Sequence, residues 1–385
     1  MKILFHSNLF PDHEQQYRGQ DNANLLHCLR ERAEIRVISP RPVLPFVPLK
    51  KIVRREIDSP FSPVFPQYRY IPKVGSAFNH HLLRASVKPS FTNILQEFQP
   101  DVVLASWAYP DTCAVVPLAA VNGLPVVAIT QGSDVHIHLR MPLRRRLIPK
   151  AFSHCAFVIA RSNRLASLLE DAGVNRGKLR TIYNGVSSKT FYPGESVSAR
   201  ASLGLGGQVS TLLYVGNFYP VKNPLLLLRA LNIVHRMAPD RAIQLVMIGE
   251  GPMQGKVEAA IRELGLRDLV RLVGRKTSDE VAQHMRAADL LCIPSDNEGL
   301  PNVLLEAFSC GLRVVSTDVG GIHEVLRHEF LGQLVPARDE AAMAEAIQRC
   351  LMVSPDKDRI VESSLPFTWK RTVETYWDVL ESALA

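Results

Sequence analysis

Two doubly wound, Rossmann-like α/β domains, each a parallel sheet covered by helices, are the architecture this sequence predicts. Three observations predict it. Short apolar runs alternate with segments of helical period along the whole chain. The runs fall into two series of similar length, separated by a stretch containing Ser187, Ser188, Pro193 and Gly194. Parallel strands need long crossovers, and helices of this length supply them.

The first series reads ILFHS, EIRVIS, DVVLAS, PVVAIT and AFVIA. The second reads TLLYVG, IQLVMIG, LVRLVG, LLCIPS and RVVST. Segments 223–237, 253–265 and 277–287 carry the helical period between them. Near the end, Trp369, Val373, Tyr376, Trp377 and Leu380 form an apolar stripe at helical spacing. The expected domains are 1–190 and 191–366, followed by a terminal helix over 367–385. In open parallel sheets the ligand crevice lies at the carboxyl ends of the strands.

At 385 residues with 46% apolar and 21% charged content, the chain can bury full cores. No stretch reaches the roughly eighteen apolar residues of a membrane span. The opening MKILFHSN is too short an apolar run for a signal peptide and reads as a first strand. Six cysteines without a CxxC pair fit a reduced, cytosolic chain.

Charge divides unevenly. Residues 1–190 hold 25 basic and 13 acidic side chains, about +12, and the rest hold 20 and 24, about −4. Basic clusters fall at Lys50, Lys51, Arg54 and Arg55, and at Arg140, Arg144, Arg145, Arg146 and Lys150. A solvated face and a surface for anionic lipid or a diphosphate-lipid acceptor both account for them. Nucleic acid is disfavoured, because no aromatic-interleaved binding motif accompanies the charge.

The most informative stretch is EGLPNVLLE, bracketed by Glu298 and Glu306. LLCIPS before it reads as a buried strand, so Glu298 lies on the loop that follows. Pro301 suits the first turn of a helix, Val303, Leu304, Ala307 and Phe308 give that helix an apolar face, and Gly311 ends it. The free amides near Asn302 and Val303 make a candidate anion site between the carboxylates. Carboxylates that can hold hydroxyls beside a place for phosphate suggest a sugar-nucleotide site. Lys222, after Pro220 in a strand-to-helix turn, is a cation for a leaving diphosphate, and Gly216 would let the backbone approach phosphate. The pair Asp356 and Asp358 reads as a solvated loop, and no metal or other cofactor is expected. Gly19 permits either a close approach or a turn; Asp134 either caps the next segment or contacts hydroxyls. His136 and His138 alternate with Val135 and Ile137, which suits an ordinary strand or surface position better than catalysis.

EGLPNVLLE resembles the Glu-x7-Glu signature of the retaining, family 4 type glycosyltransferases, and the resemblance extends over nearly the whole chain. NLFPDHEQQYRGQDNANLLHCL is similar to the family's acceptor-side loop, with Gly19 as its glycine. SWAYPD, QGSDV, YNGV, VGNFYPVKNP, IGEGP and DVGGIHEVL follow in the family's order. Three positions depart from it: Asn217 stands for the common Arg of the diphosphate loop, Asn223 for the glycine after its lysine, and Gln131 for a cleft histidine. Lys222 must then carry more of the phosphate charge, and His136 lies close to Gln131.

The resemblance implies a GT-B fold with a cleft between its domains, and a last helix that crosses back onto the first domain. It implies that Glu306 binds ribose hydroxyls and that Glu298 anchors the donor sugar. It makes Gly216, Asn217, Asn302 and Val303 donor-side residues, and Gly19, Asp134 and His136 lining of the acceptor-side cleft. The expected partners are a nucleotide-sugar donor, a glycan or lipid-linked acceptor and an anionic membrane surface. Two rivals stand beside it. GEGPMQG would suit a dinucleotide turn, but Gln254 occupies the third glycine position. A two-lobed sugar-nucleotide-binding protein without transfer activity is the other.

Overall fold

A computed structural model describes residues 1–47, 59–72 and 78–385. The chain forms two compact units, one of Met1–Asn184 with Trp369–Ala385 and one of Gly185–Thr368. Lys50, Lys51, Arg54 and Arg55 lie outside the described residues.

The first unit is built on a six-stranded parallel sheet. Its strands are β1 (Lys2–His6), β2 (Glu34–Ile38), β5 (Val102–Ser106), β6 (Val126–Thr130), β7 (Phe157–Ala160) and β8 (Leu179–Thr181). The order is β2-β1-β5-β6-β7-β8. A small parallel pair, β3 (Arg41–Val43) and β4 (Gln67–Arg69), stands apart from it. The second unit repeats the plan with β9 (Ser210–Val215), β10 (Ile243–Ile248), β11 (Val270–Leu272), β12 (Leu290–Ile293), β13 (Val314–Thr317) and β14 (Gly332–Val335). Its order is β11-β10-β9-β12-β13-β14. Each chain path therefore reverses once, at β1/β5 and at β9/β12. Those reversals part the flanking loops and open a crevice over the strand ends.

Strands buried on both faces read as continuous apolar runs. All five residues of β5 and of β6 are buried, as are all six of β10. Helices cover the faces; Pro224–Met237 buries Leu226, Leu227, Leu231 and Val234 against the second sheet.

The division differs from the expected 1–190 and 191–366. It falls at Asn184 because the next residues join the second unit: Val186 bridges Thr368, and Phe191 is buried in that unit's core. The helix Trp369–Leu384 belongs to the first unit, where Tyr376 and Leu380 share a buried cluster with Phe5, Leu26 and Ile159.

Three local readings are corrected. Residues 133–136 form a helical turn rather than a strand, because Gly132 turns the chain at φ +124° and the Asp134 carboxylate ties up the turn's amides. Asp356 and Asp358 begin a helix, Lys357–Ser364, with Asp356 accepting from the Arg359 amide as its cap. Within the second basic cluster, Arg144 is buried, its guanidinium 4.5 Å from the Tyr109 ring centre. Arg140, Arg145, Arg146 and Lys150 remain exposed. Among the described residues no helix is long and apolar enough to cross a membrane.

Candidate active site

At the β9/β12 reversal the structure joins two residues 76 positions apart. The Lys222 ammonium donates to both Glu298 carboxylate oxygens, at 2.6 and 2.9 Å. Ser295 donates to the same carboxylate at 2.6 Å. Glu298 is buried, while about a third of the Lys222 side chain reaches solvent. A nearly buried carboxylate needs such partners, since a lone one would forfeit its hydration.

Local backbone explains the placement. After β9, a single 3₁₀ turn, Pro220–Lys222, leads to Asn223 at φ 42°, ψ 53°. Asn tolerates this left-handed conformation, so it can stand where a glycine is expected. Its side chain also caps the helix Pro224–Met237 by accepting from Leu226, and it donates to Asp296 at 2.9 Å. Asp296 in turn accepts from Arg338 at 3.0 Å. The Lys222 loop and the Glu298 loop are thus tied twice, by an ion pair and by an amide–carboxylate bond. On the other side, Gly320 sits at φ +61°, where a Cβ would lie 2.0 Å from the Glu298 carbonyl. Only glycine lets the 320 turn back the Glu298 loop this closely.

Pro301 is the N-cap of the helix Asn302–Ser309 and supplies no side-chain cap of its own. Asn302 and Val303 hold its first turn, and Glu306 lies one turn further along, half-buried. Gly311 follows at φ +72° and ends the helix. Gly216 follows β9; a Cβ there would press on the Tyr214 hydroxyl at 3.2 Å. Asn217 is exposed, and its carbonyl accepts from Tyr214. Burial, with the Glu298 charge nearby, pushes the Tyr214 phenol well above its usual range. Two glycines of GEGPMQG serve loop packing: a Cβ at Gly249 would meet the Gly216 carbonyl at 2.0 Å, and one at Gly251 the Phe218 carbonyl at 2.7 Å, whereas Gly255 faces open space.

The first unit's reversal is built differently. Asp134 is fully buried and accepts from the amides of Ala108, Gln131 and Gly132, at 2.8, 2.9 and 2.8 Å. Burial raises its pKa, and those three bonds offset only part of the rise. Asp134 does not cap the segment that follows it: the amides it holds precede it, in the 131–132 turn and in the loop after β5. Gly19, at φ +64°, opens the helix Gln20–Leu29; a Cβ there would sit 2.3 Å from the Leu9 carbonyl. The close approach it permits is to Leu9. His136 ends the 133–136 turn, half-buried.

Several groups here escaped the sequence reading. Asn22 accepts from Ser106 at 3.1 Å and from Gln131 at 2.9 Å, drawing three segments together. Asp111 is wholly buried and accepts from the Asn8 amide and side chain. Its carboxyl is pushed up to about 7, chiefly by burial. His6, 4.0 Å away, is held at about 3 by burial. A polar residue closing an apolar strand, as in ILFHS and DVVLAS, was the available signal.

Residues 22–189 match glycosyltransferase family 4, and residues 209–352 match the glycosyl transferases group 1 family. The chain belongs to the family 4 type glycosyltransferases. It is similar to D-inositol 3-phosphate glycosyltransferases, at 32% identity over 220 residues in Saccharomonospora viridis (54% of this chain, 51% of that protein). The Geodermatophilus obscurus protein is 33% identical over 241 residues (57% and 52%). The chain spans about half the length of these relatives. Among solved structures, Anabaena HepE in complex with UDP matches with a TM-score of 0.78 at 18% identity, covering 99% of this chain and 100% of that one. Sucrose-phosphate synthase from Thermosynechococcus elongatus matches at 0.76 and 20% identity, covering 99% and 98%. These likenesses establish the fold, two Rossmann-like units of the GT-B class.

Proposed function

We propose that this chain is a retaining, metal-independent hexosyltransferase. It would move a sugar from a nucleotide-sugar donor to a glycan or lipid-linked acceptor in cell-envelope polysaccharide synthesis. The observation that carries this reading is the Lys222–Glu298 pair at the β9/β12 reversal, in the same unit as the N-terminus of Asn302–Ser309. Solved structures of HepE with UDP and with UDP-glucose support a nucleotide-sugar donor.

In this reading the amides of Asn302 and Val303 face the donor's diphosphate, where the helix dipole favours negative charge. Glu306 takes the ribose hydroxyls, and Gly216 and Asn217 border the phosphates. Lys222 is the cation for the departing diphosphate. Glu298, freed of part of that ion pair as negative charge builds on the phosphate, opposes the positive charge growing at the anomeric carbon. Gly19 and Asp134 shape the acceptor side through the backbone they hold, and His136 lines it.

A membrane-facing surface fits the exposed run around the helix Pro142–Ser153. Ile137, Met141 and Leu143 are 52, 40 and 46% exposed, and Arg140, Arg145 and Arg146 accompany them. Apolar side chains flanked by arginine suit the boundary between headgroups and acyl chains.

The test is a panel of nucleotide-sugars and acceptors scored by product mass, with and without chelator. A product heavier by one hexose, formed in chelator, is the expected result. Donor binding without any transfer would favour the binding-protein alternative. Activity lost in chelator and restored by manganese would remove the metal-free part of the reading.

A further inference from the structure

We propose that Asp296 is a positioning residue that sets where the Lys222 ammonium stands, with Arg338 as its anchor. This rests on the sugar-transfer reading and adds to it the group that aims the phosphate cation.

Asp296 holds the residues on both sides of Lys222. Its amide donates to the Val221 carbonyl at 2.8 Å, and its Oδ1 accepts from the Asn223 side chain at 2.9 Å. With both neighbours fixed, the lysine side chain leaves the turn from a set origin. Glu298, which the ammonium meets at 2.6 Å, follows Asp296 by two residues, so one loop fixes the lysine's root and its tip. The two attachments differ in permanence. In the sugar-transfer reading the ion pair loosens as the ammonium turns to phosphate. The Asp296 bonds end on a backbone carbonyl and a neutral amide, for which the phosphate does not compete, so they persist.

Backbone strain points the same way. Asn223 stands at φ 42° and Arg338 at φ 64°, in the left-handed region. Both donate to the Asp296 carboxylate, Asn223 to Oδ1 and Arg338 to Oδ2, through Nε at 3.2 Å and Nη2 at 3.0 Å. The Arg338 side chain is 76% exposed, and an ion pair so open to water stabilises little. The strain of a left-handed arginine outweighs that gain. Strained residues of this kind gather at functional clamps, where placement matters more than stability. The anchorage itself is firm. Asn223 caps the helix Pro224–Met237, and Asp339, next to Arg338, caps the helix Glu340–Met352. Those helices share one buried cluster through Leu227, Leu231, Met343 and Ile347. Asp296 is therefore gripped from the starts of two packed helices, support of the kind that holds a site's geometry.

The experiment is isothermal titration of the full chain with UDP and UMP, GDP and GMP, and ADP and AMP. The terminal phosphate carries the bond to the sugar, so the advantage of diphosphate over monophosphate reads the placement of Lys222. Wild type should prefer the diphosphate of at least one base. Asp296→Ala should cut that advantage by ~tenfold, what one charge-assisted hydrogen bond contributes, while monophosphate affinity holds. Added to Lys222→Ala, Asp296→Ala should change nothing further, since it acts through that lysine. Arg338→Gly should also lower the advantage, yet melt no lower than wild type, because glycine relieves the left-handed backbone. A purely structural role would lower the melting temperature and weaken both nucleotides alike, which would overturn the proposal. So would an advantage that Asp296→Ala leaves intact, or an effect of Asp296→Ala that is as large without Lys222. The two readings fail separately. A diphosphate advantage that Asp296→Ala removes, in a chain that transfers no sugar, would sink the transfer reading alone. Transfer with an advantage untouched by Asp296→Ala would sink this one alone. A wild-type chain that prefers no diphosphate would overturn both.

Discussion

At the β9/β12 reversal a lysine meets a carboxylate, whereas at the β1/β5 reversal three neutral side chains meet one another. The sheets share strand number, direction and a single reversal, so topology does not cause the difference. It comes from what each strand-end loop carries. The second unit keeps its charge in the crevice, part-exposed and able to answer charge in a ligand. The first unit spends its buried carboxylates on the protein: Asp134 holds three backbone amides, and Asp111 holds Asn8. Two crevices of one topology therefore differ in kind, one holding a part-exposed ion pair and one a neutral network.

The sharpest way to break this comparison is to neutralise one carboxylate in each crevice. Glu298→Gln should cut turnover by ~10²–10³-fold, the scale of losing a preorganised electrostatic group, with little change in melting temperature. Steady-state kinetics on the active donor would read it, and wild-type turnover would refute the role. Asp134→Ala should do the converse. It strands three buried amides at about 1–3 kcal/mol each, so the first unit should lose about 3 kcal/mol or more while nucleotide binding by the second unit survives. Transfer lost at unchanged stability would make Asp134 a chemical group.

A smaller effect lies in the His6–Asp111 pair. Asp111 rises from 3.8 to about 7, so the folded chain keeps a proton there that the unfolded chain releases. His6 falls from 6.5 to about 3, so the unfolded chain holds a proton there that the folded chain lacks. Between about pH 4 and 6.5 the two counts cancel, and this pair adds no slope to stability. His6→Gln leaves Asp111 alone. Stability should then fall as pH rises from about 4 to about 7, by at most ~1.4 kcal/mol per unit. Urea melts at pH 4.5 and 6.5 would show it, and equal stabilities would contradict it. Weakest of all should be the surface charges. Replacing Arg145 and Arg146 by Gln should lower binding to anionic vesicles by about 1 kcal/mol per charge and leave donor affinity alone. Cosedimentation across a salt series is the check, and identical binding to neutral vesicles would leave a plain solvated face.

Much of the fold was legible because strands buried on both faces cannot hide their apolar runs: β5, β6, β9, β10 and β12 were each visible. The edge strands β8 and β14, like the β3–β4 pair, were not. They are three or four residues long, with polar side chains among them, and pairing rather than pattern makes them strands. The strand alternative at 133–136 fails for a related reason. Alternating His and aliphatic residues carry a two-residue period, but the side chain of Asp134 had already claimed the local amides. Glu298, Glu306 and Lys222 could each be picked out, yet their relations could not. The Lys222–Glu298 contact, like the Asn22–Gln131 bond across 109 positions, exists only once the strands are ordered.

The last helix has a consequence for the order of events during synthesis. Tyr376 and Leu380 fill the same cluster as Ile3, Phe5 and Leu26, from opposite ends of the chain. A ribosome that has delivered residues 1–184 has made all six strands of the first sheet but not the helix that seals this face. The second unit, Gly185–Thr368, is contiguous and complete earlier. The usual amino-to-carboxyl order of domain folding is thereby inverted at its final step. The first unit waits, with part of its core open, until the second has been made.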